Sequence, residues 1–128
     1  MEFAYKKIGT RFSPIIPLKI HHHTNFIATD ALIDSGSNLS IFRMDVAEKL
    51  GINCKSGQPV HLSSVNEIFI GYVHSLHISI GDLTLPCHVV FAETFKPNLN
   101  IVGRIDFFDH FLITFDERNK KLTLTNNP

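Results

Sequence analysis

Apolar and polar residues alternate along this chain in short runs, and turn residues break the runs. Pro14 and Pro17 bracket Ile15-Ile16, which suggests an extended entry. Leu18-Lys19-Ile20-His21 then keeps the period of two that a half-buried strand requires. Thr24-Asn25 reads as a turn and residues 26–33 as the next strand, so the two runs predict a hairpin. Residues 39–42 form a further short apolar run. Val60-His61-Leu62 and Ile68-Phe69-Ile70-Gly71-Tyr72 flank a polar tip. Leu76, Ile78 and Ile80 continue the period, as do Leu83 and Leu85 beyond a Gly81-Asp82 turn. Residues 87–91 add another strand, and residues 93–98, with Pro97, a loop. Ile101-Val102 reads as a buried strand, and Phe111, Ile113 and Phe115 alternate before a hairpin turn over 116–120 and a last strand with Leu122 and Leu124.

Helical signals are few. Asp45 is placed as an N-cap before residues 46–50, with Gly51 as the stop. Residues 105–110 are a second short helix candidate, in which Asp106 in the first turn would suit the helix dipole. Residues 1–13 are mixed and polar and are expected to form an arm or a loose edge. Many short strands with frequent turns predict an all-β fold, closed or partly closed, in one domain over residues 1–128.

One run ends oddly. The apolar stretch Ala31-Leu32-Ile33 leads straight into Asp34-Ser35-Gly36-Ser37. A buried carboxylate without a partner is costly, so an acid at the end of a core strand needs a reason. Gly36 permits a sharp turn and a close backbone approach. Ser35 and Ser37 bring hydroxyl donors that could hold the carboxylate in place, and Ser37 is expected to donate to ionised Asp34.

Asp34-Ser35-Gly36 resembles the active-site triplet of aspartic proteases, and Asn100-Ile101-Val102-Gly103-Arg104 resembles the apolar-apolar-Gly-Arg segment of the same proteins. The triplet occurs once in 128 residues, so the resemblance is to the retropepsin-like, single-domain type in which two identical chains each give one Asp. It spans about Pro17 to Leu124. With Pro14 to Pro17 upstream and Gly103 to Phe108 downstream, the cast looks more like prokaryotic members than viral ones.

The resemblance implies a closed acid-protease β-barrel with a flap hairpin and one or two short helices. It implies a homodimer acting on a peptide or protein substrate. Asp34 would be the catalytic acid, with Ser35, Gly36 and Ser37 supporting its loop. Asn38, Gly103 and Arg104 would support the loop and the dimer, Asn38 standing where many retroviral relatives have an acid. Ser64, Val65 and Asn66 at the flap tip would touch substrate. The chemistry needs two carboxylates: one ionised as general base on a water, one protonated toward the scissile carbonyl. A single Asp34 per chain therefore demands a second copy.

Charge and composition narrow the alternatives. Twelve basic and twelve acidic residues cancel, which leaves no electrostatic footprint for nucleic acid or an anionic membrane. Residues 1–7 lack the apolar core of a secretion leader, and Cys54 and Cys87 read as reduced core thiols, so the cytoplasm is the expected compartment. Eight histidines, including His21-His22-His23, lack metal-ligand spacing, since neighbours on a strand face opposite ways. No metal and no cofactor is expected. Two other readings use the same residues: a catalytically silent dimerisation or peptide-binding module, and a monomeric structural barrel.

Overall fold

The computed structural model describes residues 1–63, 66, 68–93 and 98–128. In chain order the strands are β1 (Glu2–Ala4), β2 (Lys6–Ile8), β3 (Arg11–Ser13), β4 (Ile15–His22), β5 (Asn25–Ile33) and β6 (Ser40–Phe42). Helix α1 (Met44–Lys49) precedes β7 (Gln58–Ser63), β8 (Ile68–Ile80), β9 (Leu83–Phe91), β10 (Asn100–Val102), β11 (Phe111–Asp116) and β12 (Lys121–Asn126). Single 3-10 turns cover Cys54–Ser56 and Phe108–His110.

Six strands form a ring of pairings in the order β4, β5, β10, β6, β9, β8, closed by β8 against β4. Closure pairs each of the six strands on both sides and encloses a core. The period of two explains which side chains enter it. Ile16, Leu18 and Ile20 of β4 point inward, as do Leu76, Ile78 and Ile80 of β8 and Leu85, Cys87 and Val89 of β9. Phe42, Phe91 and Phe107 are fully buried among them. β7 extends the sheet beyond β8 as a hairpin, in register from Gln58 opposite Val73 to Ser63 opposite Ile68.

The N-terminal segment is more ordered than its polar composition suggests. β1 joins β12 and β11 in a three-stranded sheet, with Glu2 opposite Thr123 and Ala4 opposite Lys121. Tyr5 is buried and donates its hydroxyl to Glu117 Oε1 at 2.9 Å. β2 and β3 form a separate hairpin, tied to β5 by the Lys6–Asp30 ion pair. The missing signal was partner backbone: three-residue strands show little periodicity, and β12, at the other end of the chain, supplies the ladder.

The helix is also entered differently. Arg43, not Asp45, is the N-cap, and it makes no side-chain cap bond. Asp45 lies in the first turn and pairs with Arg43 Nε at 2.9 Å and Lys49 Nζ at 3.9 Å. The Arg43 amide instead donates to Asn100 Oδ1 at 2.8 Å, a contact made across the fold. The exit is as expected. Gly51 at φ +74 donates to the Glu48 carbonyl, and Ile52 to that of Ala47, which is the Schellman pattern. Residues 105–110 give a turn and a short 3-10 segment in place of an α-helix, and Asp106 stands at φ +71, outside helical geometry.

Candidate active site

Asp34 follows the last residue of β5, where two chain-distant strands meet. β10 runs parallel to β5, with Asn100 opposite Ala31 and Val102 opposite Ile33. It also pairs antiparallel with β6 through Ile101 and Ile41. The Asp34 amide extends the first pairing by donating to the Val102 carbonyl at 3.0 Å. The two segments singled out in the sequence therefore lie side by side.

The loop then turns sharply. Ser37 N–H donates to the Asp34 carbonyl at 3.2 Å, and Gly36 N–H donates to Asp34 Oδ1 at 2.9 Å. A Cβ on Gly36 would sit 3.2 Å from that same oxygen. Ser37 Oγ donates to the Leu39 carbonyl at 2.7 Å. A hydroxyl has one proton, so the donor on the carboxylate is the Gly36 amide and not the expected Ser37. Asp34 is half-buried, while Ser35, Gly36 and Asn38 are exposed.

From below, residues 103–105 clamp the loop. Arg104 N–H donates to the Ser37 carbonyl at 2.8 Å and Ile105 N–H to the Asn38 carbonyl at 2.9 Å. Arg104 thus grips the loop through its main chain, and its side chain is exposed. Together with Asn38, Ile105, Phe108 and Asp109 it lines an open cavity of about 480 Å³ beside the loop. Gly103 passes so close to the loop that a Cβ would stand 2.3 Å from the Leu39 carbonyl oxygen and 2.7 Å from that of Ser37.

The supporting bonds of three further residues are seen only in the structure. Ser40 is buried, and its Oγ accepts the Gly103 amide at 3.0 Å. Asn100 is buried and spans three elements: Nδ2 donates to Thr29 Oγ1 and the Asp30 carbonyl, and Oδ1 accepts from Arg43. Asp106 Oδ2 accepts from both the amide and Nδ1 of His88, at 2.9 and 2.8 Å. A polar residue inside an apolar strand run was the available signal for Ser40 and Asn100. Asp106 carried no such mark.

The flap is described in part. β7 and β8 form its stem, and Asn66 is exposed at its end. Ser64 and Val65 lie outside the described residues. Leu62, Val60, Phe69 and Val73 of the stem pack with Leu39, Ile41, Val90 and Ala92, so the flap root shares a small apolar cluster with the strand leaving the Asp34 loop. Among the described residues no three His, Cys, Asp or Glu side chains are grouped so as to hold a metal ion. Within the histidine run, His21 bonds Ser79 at 2.8 Å, while the His22 and His23 rings lie 4.1 Å apart. Burial, with His23 and His74 nearby, lowers the His22 pKa.

No family model matches the sequence, and no curated protein matches it. The fold does match solved structures, in 178 chains. Among them is the EIAV protease complexed with the inhibitor HBY-793, with a TM-score of 0.60 and 15% sequence identity, covering 81% of this chain and 93% of that one. A likeness at that identity shows the fold: the chain is all-β and retropepsin-like, and it sets its Asp-Ser-Gly loop against an Ile-Val-Gly-Arg strand.

Proposed function

We propose that this chain is an aspartic endopeptidase of the retropepsin-like type, active as a homodimer in which two Asp34 carboxylates share one site. The observation that carries this reading is the Asp34 loop. Its carboxylate is half-buried, its backbone is fixed by Val102, Arg104 and Ile105, and its outer residues Ser35 and Gly36 are exposed and available to a second copy.

In the dimer the two loops meet on a two-fold axis, which gives each chain the same contacts. Carboxylates about 3 Å apart cannot both ionise readily, so the pair holds one shared proton and titrates as a unit. The ionised member takes a proton from water, which attacks the peptide carbonyl. The protonated member hydrogen-bonds the carbonyl oxygen and stabilises the developing charge, and as the tetrahedral intermediate collapses the C–N bond breaks and the dyad returns a proton to the leaving nitrogen, which departs as the amine. Ser35 bonds across to the partner loop, and Asn38, Gly103 and Arg104 hold loop and interface in place. Substrate lies extended between the loop and the flap, where Ser64, Val65 and Asn66 contact it, as in strand addition.

The prokaryotic single-domain type fits the segments at 14–17 and 103–108. A cytoplasmic setting fits the thiols, since Cys54 and Cys87 are free and buried. Among the described residues no helix is long and apolar enough to cross a membrane.

A peptide library incubated at about pH 5 tests the reading. Cleavage is expected from the wild type and not from Asp34→Asn. Cleavage that survives the substitution removes the assignment. A dimer that binds peptides and cleaves none replaces it with the silent module on the same fold.

A further inference from the structure

The turn that clamps the Asp34 loop is itself held from the far side. Arg104 and Ile105 donate to the loop carbonyls, and the next residue, Asp106, stands at φ +71. Few L-residues adopt that backbone, and Asp and Asn are among those that do. The Asp106 carboxylate takes two bonds from His88 of β9, and the Asp106 carbonyl accepts from His110 Nδ1 at 2.6 Å. His88 is followed by Val89 to Phe91, which pair in parallel with Ser40 to Phe42, the strand leaving the loop. One carboxylate therefore links the clamp to the sheet that carries the loop's other end.

We propose that Asp106, gripped by His88, is a positioning residue for the Asp34 loop, fixing the turn whose amides hold the Ser37 and Asn38 carbonyls. The inference rests on the reading of Asp34 as the catalytic acid. The titratable groups facing Asp106 are His88 from β9 and His110 from the 3-10 turn, and the Cys87 thiol lies nearby on β9. Burial pushes the Asp106 carboxyl upward, but the two bonds from His88, with both histidines nearby, outweigh it and hold it below the usual carboxylate value. A depressed folded value means the anchor is in place above the ordinary carboxylate range and is lost as pH falls through the lower folded value. It therefore persists in mild acid, where an aspartic dyad works.

Amide hydrogen exchange decides the matter on the full chain. Asp106→Gly removes the carboxylate without straining the left-handed backbone, while Asp106→Asn keeps an acceptor for the His88 amide. His88→Ala removes only the ring, at an exposed position. The Arg104 and Ile105 amides should exchange at least about tenfold faster in Asp106→Gly, relative to core amides of β8 in the same sample. His88→Ala should fall between, and Asp106→Asn closest to wild type. Unchanged ratios in both Asp106→Gly and His88→Ala overturn the proposal. In a cleavage assay, Asp106→Gly should lose kcat by about tenfold with KM unchanged, because the loop and not the substrate contacts is disturbed. A risen KM with full kcat also overturns it. A wild type that cleaves no peptide defeats the protease reading alone, and the exchange ratios still decide the role of Asp106.

Discussion

Gly103 leaves no room for a side chain. The atoms a Cβ would meet are backbone of Leu39 and Ser37, which cannot swing aside without moving the Asp34 loop. Gly103→Ala should therefore cost about 1–3 kcal/mol of stability, read from urea unfolding, and cut any cleavage activity more steeply. Asn100 is demanding for a different reason. Truncation to Ala leaves the half-buried Arg43 amide and Asp30 carbonyl without that partner, and about 1–3 kcal/mol in total is expected, read from urea unfolding. Ser37→Ala is the contrasting case. Its hydroxyl serves the Leu39 carbonyl, so the variant should lower activity through the loop and leave the acid limb of the pH–rate profile where it was. An acid limb displaced by the substitution would show the hydroxyl reaching Asp34 after all.

At the level of elements, each piece is short and leans on a neighbour. α1 has six residues, too few to be stable alone. Its exit at Gly51 is set by local sequence, and Gly51→Ala at φ +74 should cost about 1 kcal/mol, visible as a lower Tm. Its entry is set by Asn100 from another part of the chain, which is why Asp45 looked like the cap and is not. The hairpins β4–β5, β8–β9 and β11–β12 were legible because period and turn signals sit within a few residues of each other. The parallel pairings β5–β10 and β6–β9 have no such local mark. Only the likeness of two segments to the retropepsin pattern brought β10 to the Asp34 loop in advance.

For the molecule as a whole, closure of the ring buries groups whose titration then reports on folding. Burial, helped by the bond to Glu117, pushes the Tyr5 hydroxyl up to about 12. A raised folded value stabilises the fold below the ordinary tyrosine range, and that contribution is lost as pH rises through the folded value. Tyrosinate absorbance of wild type against Tyr5→Phe should assign the late-ionising ring to Tyr5. Burial likewise pushes the Cys87 thiol up to about 11, so it should resist thiol reagents until the barrel unfolds, and early modification would contradict its place in the core. If Asp34 acts in a dimer, sedimentation should show a concentration-dependent two-chain species, and Tm should rise with protein concentration. A strict monomer at every concentration would leave one carboxylate and no dyad.

Residue order alone determined the all-β class, the hairpins, the helix stop at Gly51 and the single Asp-Ser-Gly loop, because period, turn chemistry and motif are written within a few neighbouring positions. Tertiary structure decided what crosses the chain: the ring closed by β8 on β4, the strand that β1 forms with β12, the Asn100 and Ser40 bonds beneath the site, and the grip of His88 on Asp106. Those depend on which backbone and polar groups meet after burial, and a buried donor takes its partner from whatever the fold brings within reach.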